Sequence, residues 1–187
     1  GWHAAVASLV DTGVVDDASY VYWDVRPSWH LPTLEFRLAD VCTDVDAAVL
    51  QAALVRSLVV AAAEGAITEP ALPLPSQQVI LVENGWKASR DGIEADFLEL
   101  SGDTVIVRPA RESLLELLDR LGEVGERLGD SEALALLPSL LERGDAAQRI
   151  RRKVAELNND PVEVMRWLAD ETVLGLGLDR RTEQRDD

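Results

Sequence analysis

Apolar residues in this chain fall into alternating runs and three-to-four repeats, punctuated by glycine and proline. Trp2 to Val10 reads as the end of a helix, with Ala5, Leu9 and Val10 on one side and Asp11-Thr12-Gly13 closing it. Asp16 to Ser19 reads as loop. Tyr20 to Val25 alternates and is rich in aromatic residues, which predicts a strand. Pro27 and Pro32 keep the following connection extended, and Thr33 to Ala39 predicts a second strand. Thr43 or Asp44 then caps a helix that runs to about Glu64, where Gly65 ends it. Val45, Ala48, Val49, Ala52, Val55 and Val59 repeat at three and four along it and predict its core face.

Ile67 to Pro75 is a proline-rich connection. Gln77 to Asp91 fits a helix with Ile80, Asn84, Lys87 and Asp91 on one side, although Gly85 weakens it and Gly92 stops it. Ala95 to Leu100 and Thr104 to Val107, parted by Ser101-Gly102-Asp103, predict a β-hairpin. Everything after Pro109 reads as helical. One stripe is Leu114, Leu117, Leu118, Leu121 and Leu128; a second is Leu134, Leu137, Leu140 and Leu141, with Pro138 as a kink or break. Asp145 caps a helix carrying Ile150, Val154 and Leu157. Asp160-Pro161-Val162-Glu163 opens the last helix, whose apolar side is Val164, Trp167, Leu168 and the stem of Glu171. The pattern predicts an α+β fold in three parts: a sheet-bearing region with packing helices over 1–108, a helical region over 109–178, and a disordered tail over 179–187.

Composition narrows the function classes. With 187 residues, 47% of them hydrophobic, the chain can bury a core. Its 34 acidic and 18 basic residues give a net charge of −16, which repels nucleic-acid phosphates and anionic lipid. The expectation is no nucleic-acid partner and no membrane partner, while charge is silent on a single nucleotide such as ATP. Cys42 is the only cysteine, so no disulfide forms within the chain, in keeping with a cytoplasmic setting. No signal peptide is seen, and no apolar run is expected to approach the roughly 18 residues of a membrane span. The chain opens on Gly1-Trp2-His3, and Met165 is its only methionine. It is expected to be a fragment, a processed chain or one subunit of a split enzyme.

The most informative stretch is Tyr22-Trp-Asp-Val-Arg-Pro-Ser-Trp-His-Leu-Pro-Thr-Leu-Glu-Phe-Arg-Leu-Ala-Asp40. Asp24 and Arg26 lie two residues apart, as do Glu35 and Arg37, so each pair shares one face of an extended segment. Two acid–base pairs on one surface can hold a metal ion and the phosphates it neutralises. They can equally be cross-strand salt bridges on a solvated sheet face. The stretch as a whole resembles the signature of the glutamate–cysteine ligase type 2 family, the carboxylate–amine ligases, at nearly every position from Tyr22 to Asp40. The resemblance covers essentially the whole chain but only the C-terminal half of the family's proteins.

That resemblance implies a glutamine synthetase-like, mostly antiparallel catalytic sheet, part of it within 1–108, followed by the helical region. It implies ATP and Mg²⁺ as cofactors, amino-acid substrates, and ligation of a carboxylate to an amine through an acyl phosphate. Glu35 matches the metal-binding glutamate, a hard oxygen ligand suited to Mg²⁺. Arg37 matches an arginine whose planar fork grips the transferred phosphoryl group. Arg26 matches a phosphate or substrate-carboxylate contact, and Asp24 either orients one of the arginines or recognises an amine. His30 serves as general base for the amine or simply ties the loop; Ser28 contacts phosphate or caps a turn. Trp86, Lys87 and Arg90, with Asn84, resemble a nucleotide-contacting segment, although Lys87, Ser89, Asp91 and Ile93 depart from its usual residues. Gln148 and Arg151 resemble a weaker C-terminal motif. Further acidic metal ligands belong to the family's N-terminal half, so the expected partner is that half, as a separate chain or a removed segment, within an oligomer. The alternative is a non-catalytic nucleotide-binding or interaction subunit that retains the ligase fold.

Overall fold

A computed structural model describes residues 1–28, 30–67, 74–101 and 104–174. The fold is α+β, and the chain divides into two compact units, Gly1–Val41 and Cys42–Asp187. The division falls at 41/42, where the sequence suggested one after 108. The expected tail over 179–187 lies outside the described residues.

The first unit opens with helix α1, Trp2–Asp11, closed by Gly13 at φ +70° with its N–H on the Val10 carbonyl at 2.9 Å. A 3₁₀ turn, Ala18–Tyr20, follows, and then strands β1, Val25–Pro27, and β2, Leu34–Phe36, pair antiparallel. Both strands are shorter than expected, and β1 begins where the predicted strand was to end. The cause is local. The Asp17 carboxylate accepts from the Ser19 N–H at 2.6 Å and winds Ala18–Tyr20 into the turn. Arg26 then takes the Ser19 and Val21 carbonyls, acceptors that a longer strand would have used.

The second unit is built on α2, Val45–Ala63, and α4, Ala110–Leu128. Asp44 is the cap of α2, accepting from the Ala47 N–H at 2.9 Å. Leu50, Ala53 and Ala61 are the buried apolar positions of α2, packed with Leu121 and Val124 of α4 and with Leu134, Leu137 and Leu141. The predicted core face is therefore corrected: Ala48, Val49 and Ala52 are exposed, and the buried line runs Leu50, Ala53, Ser57, Ala61. A helix apolar nearly all round gives no directional signal, so the leucines of α4 decide which side turns inward. The membrane expectation is corrected too, because α2 is long and apolar enough to cross a bilayer by length and composition. Its Arg56 makes two hydrogen bonds of 2.7 Å to Asp130, in keeping with a core helix of this unit.

Helix α3, Leu74–Asp91, half-buries the predicted side of Ile80, Asn84, Lys87 and Asp91. The Asn84 amide brackets Leu98, donating to its carbonyl at 2.9 Å and accepting from its N–H at 2.8 Å. Strands β3, Asp96–Ser101, and β4, Thr104–Pro109, form the expected hairpin. Among the described residues the strands make two separate two-stranded sheets, where the resemblance implies one catalytic sheet. The short helices α5, Ser131–Leu134, and α6, Leu137–Arg143, replace one helix, with Pro138 in the first turn of α6. Then come α7, Ala146–Glu156, with a full capping box between Asp145 and Gln148, and α8, Pro161–Val173, capped by Asp160.

A charged cluster ties these helices together. Asp44 is 5% exposed at its side chain and is paired with Arg149, with Arg143 at 3.5 Å beyond. Arg149 also donates to Thr43 Oγ1 at 3.2 Å and to Glu171 of α8. Close by, Gly92 has φ +59°, and a Cβ there would sit 2.1 Å from Asp145 Oδ2, which accepts from the Ile93 N–H. Gly92→Ala is expected to destabilise the second unit by about 1–3 kcal/mol, through backbone strain and displacement of the α7 cap. An unchanged urea midpoint would show that the neighbouring backbone yields freely.

Candidate functional site

The β1–β2 hairpin sets Arg26 directly opposite Glu35, so the two side chains meet on one face. Arg26 Nε donates to Glu35 Oε2 at 2.7 Å, and Arg37 Nη1 donates to Glu35 Oε1 at 3.1 Å. One carboxylate thus holds two guanidinium groups. The Arg26 hydrogen bond, joined by the charges of both arginines and opposed by some desolvation, holds Glu35 below the usual carboxylate range. Glu35 is a permanent anion near neutral pH.

The two arginines differ. Arg26 is 15% exposed, and its Nη1 is bound to the Ser19 and Val21 carbonyls at 3.1 and 2.9 Å. Its Nη1 donors fasten the hairpin to the preceding turn. Arg37 is 36% exposed, lies over the Tyr22 ring at 5.0 Å, and among the described residues spends only Nη1 on a side-chain partner. Asp24 orients neither arginine through its carboxylate: it touches Arg37 through its backbone carbonyl, which accepts the Arg37 N–H at 2.8 Å. Ser28 Oγ accepts from the Leu31 N–H at 3.2 Å and so caps the connection in which His30 stands exposed.

Arg26, Pro27, Ser28, His30 and Glu35 line a cavity of about 620 Å³ together with Trp2, Ala7, Val10 and Asp11 of α1. Asp17, Ala18 and Ser19 complete it. Asp11 and Asp17 line the cavity at positions where the sequence predicts only a turn and a loop. The available signal was Asp11 itself, an acid at a helix C-terminus with no basic residue in the last turn.

The other candidates lie in the second unit. Arg90 stacks on Trp86 at 4.1 Å and makes a two-point contact with Asp91, while Lys87 is half-buried. Gln148 closes the capping box and donates to Glu94 at 3.3 Å, and Arg151 is exposed. For Mg²⁺, Glu35 fits as a single hard ligand: it is anionic, 43% exposed, and each oxygen accepts one hydrogen bond. Among the described residues no group of three His, Cys, Asp or Glu could hold a metal by itself.

Comparison with known proteins now gives the class. Residues 1–168 match the family model described as glutamate–cysteine ligase family 2. A protein of Salinispora tropica named "Putative glutamate–cysteine ligase 2" is 37% identical over 172 residues, 91% of this chain and 45% of the relative. A "Putative glutamate–cysteine ligase 2-2" of Mycolicibacterium vanbaalenii is 38% identical over 174 residues, 92% of this chain and 46% of the relative. One of the same name in Frankia casuarinae is 39% identical over 151 residues, 80% of this chain and 17% of the relative. These names belong to one class, the ligases. The chain belongs to glutamate–cysteine ligase family 2, and it spans less than half the length of these relatives.

Proposed function

We propose that this chain supplies part of the active site of an ATP-dependent carboxylate–amine ligase, the remainder coming from the portion of the ligase that it does not span. The observation that carries the reading is the Glu35 carboxylate held between Arg26 and Arg37 at the rim of a cavity. A free carboxylate is a poor acylating agent near neutral pH. Its oxygen attacks the γ-phosphorus of ATP, the bond to ADP breaks, and an acyl phosphate forms. The amine nitrogen then attacks the acyl carbon, phosphate leaves, and the amine loses a proton.

Arg37, with its free donors, contacts the transferred phosphoryl group as charge develops on the equatorial oxygens. Arg26 fixes the carboxylate that aims it. His30, on the cavity wall, accepts the proton of the amine. Glu35 contributes one ligand to Mg²⁺, which when bound neutralises phosphate charge. Trp86 and Arg90, stacked on each other, are with Lys87 a separate candidate for nucleotide contact within the second unit. The cytoplasmic setting and oligomeric state are part of the same proposal.

The test is to measure ADP release and amide product for the chain alone and combined with the segment that a relative adds. The combination is expected to form ADP and amide in equal amounts, strictly dependent on Mg²⁺, and the chain alone to stay at background. Robust turnover by the chain alone would refute the shared site, and Mg²⁺-independent nucleotide binding without product would favour a non-catalytic subunit.

A further inference from the structure

The cavity beside the Arg26–Glu35 pair carries more negative charge than a phosphate site should. Asp11, Asp17 and Glu35 line it, against one guanidinium and His30. Arg26 gives Nε to Glu35 and Nη1 to two backbone carbonyls, so only its Nη2 donors are left for an anion. Asp11 is the last residue of α1, where the helix dipole is itself negative, and no basic residue stands in that turn. An acid held against the dipole with no ion-pair partner among the described residues, on a cavity wall, creates a potential suited to a cation. The cation is not a bare metal ion, because these carboxylates do not converge into a ligating group. Trp2, Val10 and Pro27 add an apolar wall that neither metal nor phosphate would use.

We propose that this cavity is the amine-substrate pocket, that it receives the amine as its ammonium form against Asp11 and Asp17, and that it selects amines with an apolar body. The assignment rests on the ligase reading of the neighbouring pair. Before attack the ammonium passes one proton to His30; the nitrogen lone pair then forms the C–N bond as the C–O bond to phosphate breaks, and the departing phosphate carries off the second proton.

The test titrates the chain, without ATP or Mg²⁺, with 2-phenylethylamine, 3-phenylpropionate (similar size, opposite charge) and ethylamine, followed by amide NMR shifts. Phenylethylamine is expected to shift Val10 and Ala18, to bind at least about tenfold more tightly than ethylamine, and phenylpropionate to leave the spectrum unchanged. Asp11→Asn and Asp17→Asn should each weaken phenylethylamine at least about tenfold. Asn keeps the cap at residue 17, and Asp11→Asn should melt no lower than the parent because its clash with the dipole is gone. Equal binding of phenylpropionate, or indifference to both substitutions, would overturn the pocket. Amine binding in a combined enzyme that forms no amide would keep the pocket and sink the ligase reading; amide formation indifferent to Asp11→Asn would do the reverse.

Discussion

Replacing Glu35 with glutamine is expected to lower ATP-dependent amide formation by about 100- to 1,000-fold in the combined enzyme, with the fold intact. The carboxylate accepts from Arg26 on one oxygen and Arg37 on the other. A glutamine amide has one oxygen and one NH₂ group, so one guanidinium would face donors instead of an acceptor. Arg26 would stay anchored through the Ser19 and Val21 carbonyls, whereas Arg37 would lose its only charged partner among the described residues. The defect should therefore fall on kcat, where Arg37 acts, with KM for the amine little changed. The pH dependence has a definite sign. Glu35 is depressed below its usual value chiefly by the Arg26 hydrogen bond, so its pairing is complete above the ordinary carboxylate range, about pH 4.3. The pairing is lost only as pH falls through the lower folded value. An enzyme whose rate near pH 7 drops less than about threefold in Glu35→Gln would place the chemistry elsewhere.

What the sequence revealed of this site, and what it hid, follows from the range of the interactions. Glu35 and Arg37 lie two apart on one strand, and their contact is legible from alternation alone. The same logic coupled Asp24 to Arg26, and there it misled, because register opposes Arg26 to Glu35 and the stronger cross-strand pair forms. Caps and turns were legible for the same local reason: Asp44, Asp145 and Asp160 each accept from a backbone N–H within three residues. The face of α2 was not legible. Valines at every third or fourth position predict a stripe, yet only tertiary packing tells one side of an apolar helix from another, and Gly125 of α4 packs beside Ser57. The cavity was hidden as well, since Trp2 and Glu35 meet on its walls across a sequence separation that no periodicity encodes.

Arg149→Ala is expected to destabilise the second unit by about 3–5 kcal/mol, the largest effect of any surface-to-core charge change there. Arg149 is 11% exposed and serves Asp44 and Glu171 at once, so its removal leaves the nearly buried Asp44 with only the Ala47 N–H and the more distant Arg143. Arg56→Ala is the internal control. Arg56 makes a two-point contact with Asp130 but is 53% exposed, and its loss should stay within about 1 kcal/mol. Geometry alone would rank the pairs together; burial separates them. Adding Asp44→Asn to Arg149→Ala should recover part of the loss, because asparagine still caps α2 and removes the buried charge at that position. Acid should do the same. Burial would raise Asp44, but the Ala47 N–H, Arg149 and Arg143 outweigh it and hold the group low. The parent chain keeps that stabilisation above about pH 3.9 and loses it as pH falls through the depressed folded value. The gap between parent and Arg149→Ala, measured by urea denaturation at neutral and acid pH, should therefore narrow in acid. A gap that matches Arg56→Ala at neutral pH, or that is constant with pH, would mean that water reaches Asp44 once the guanidinium is removed.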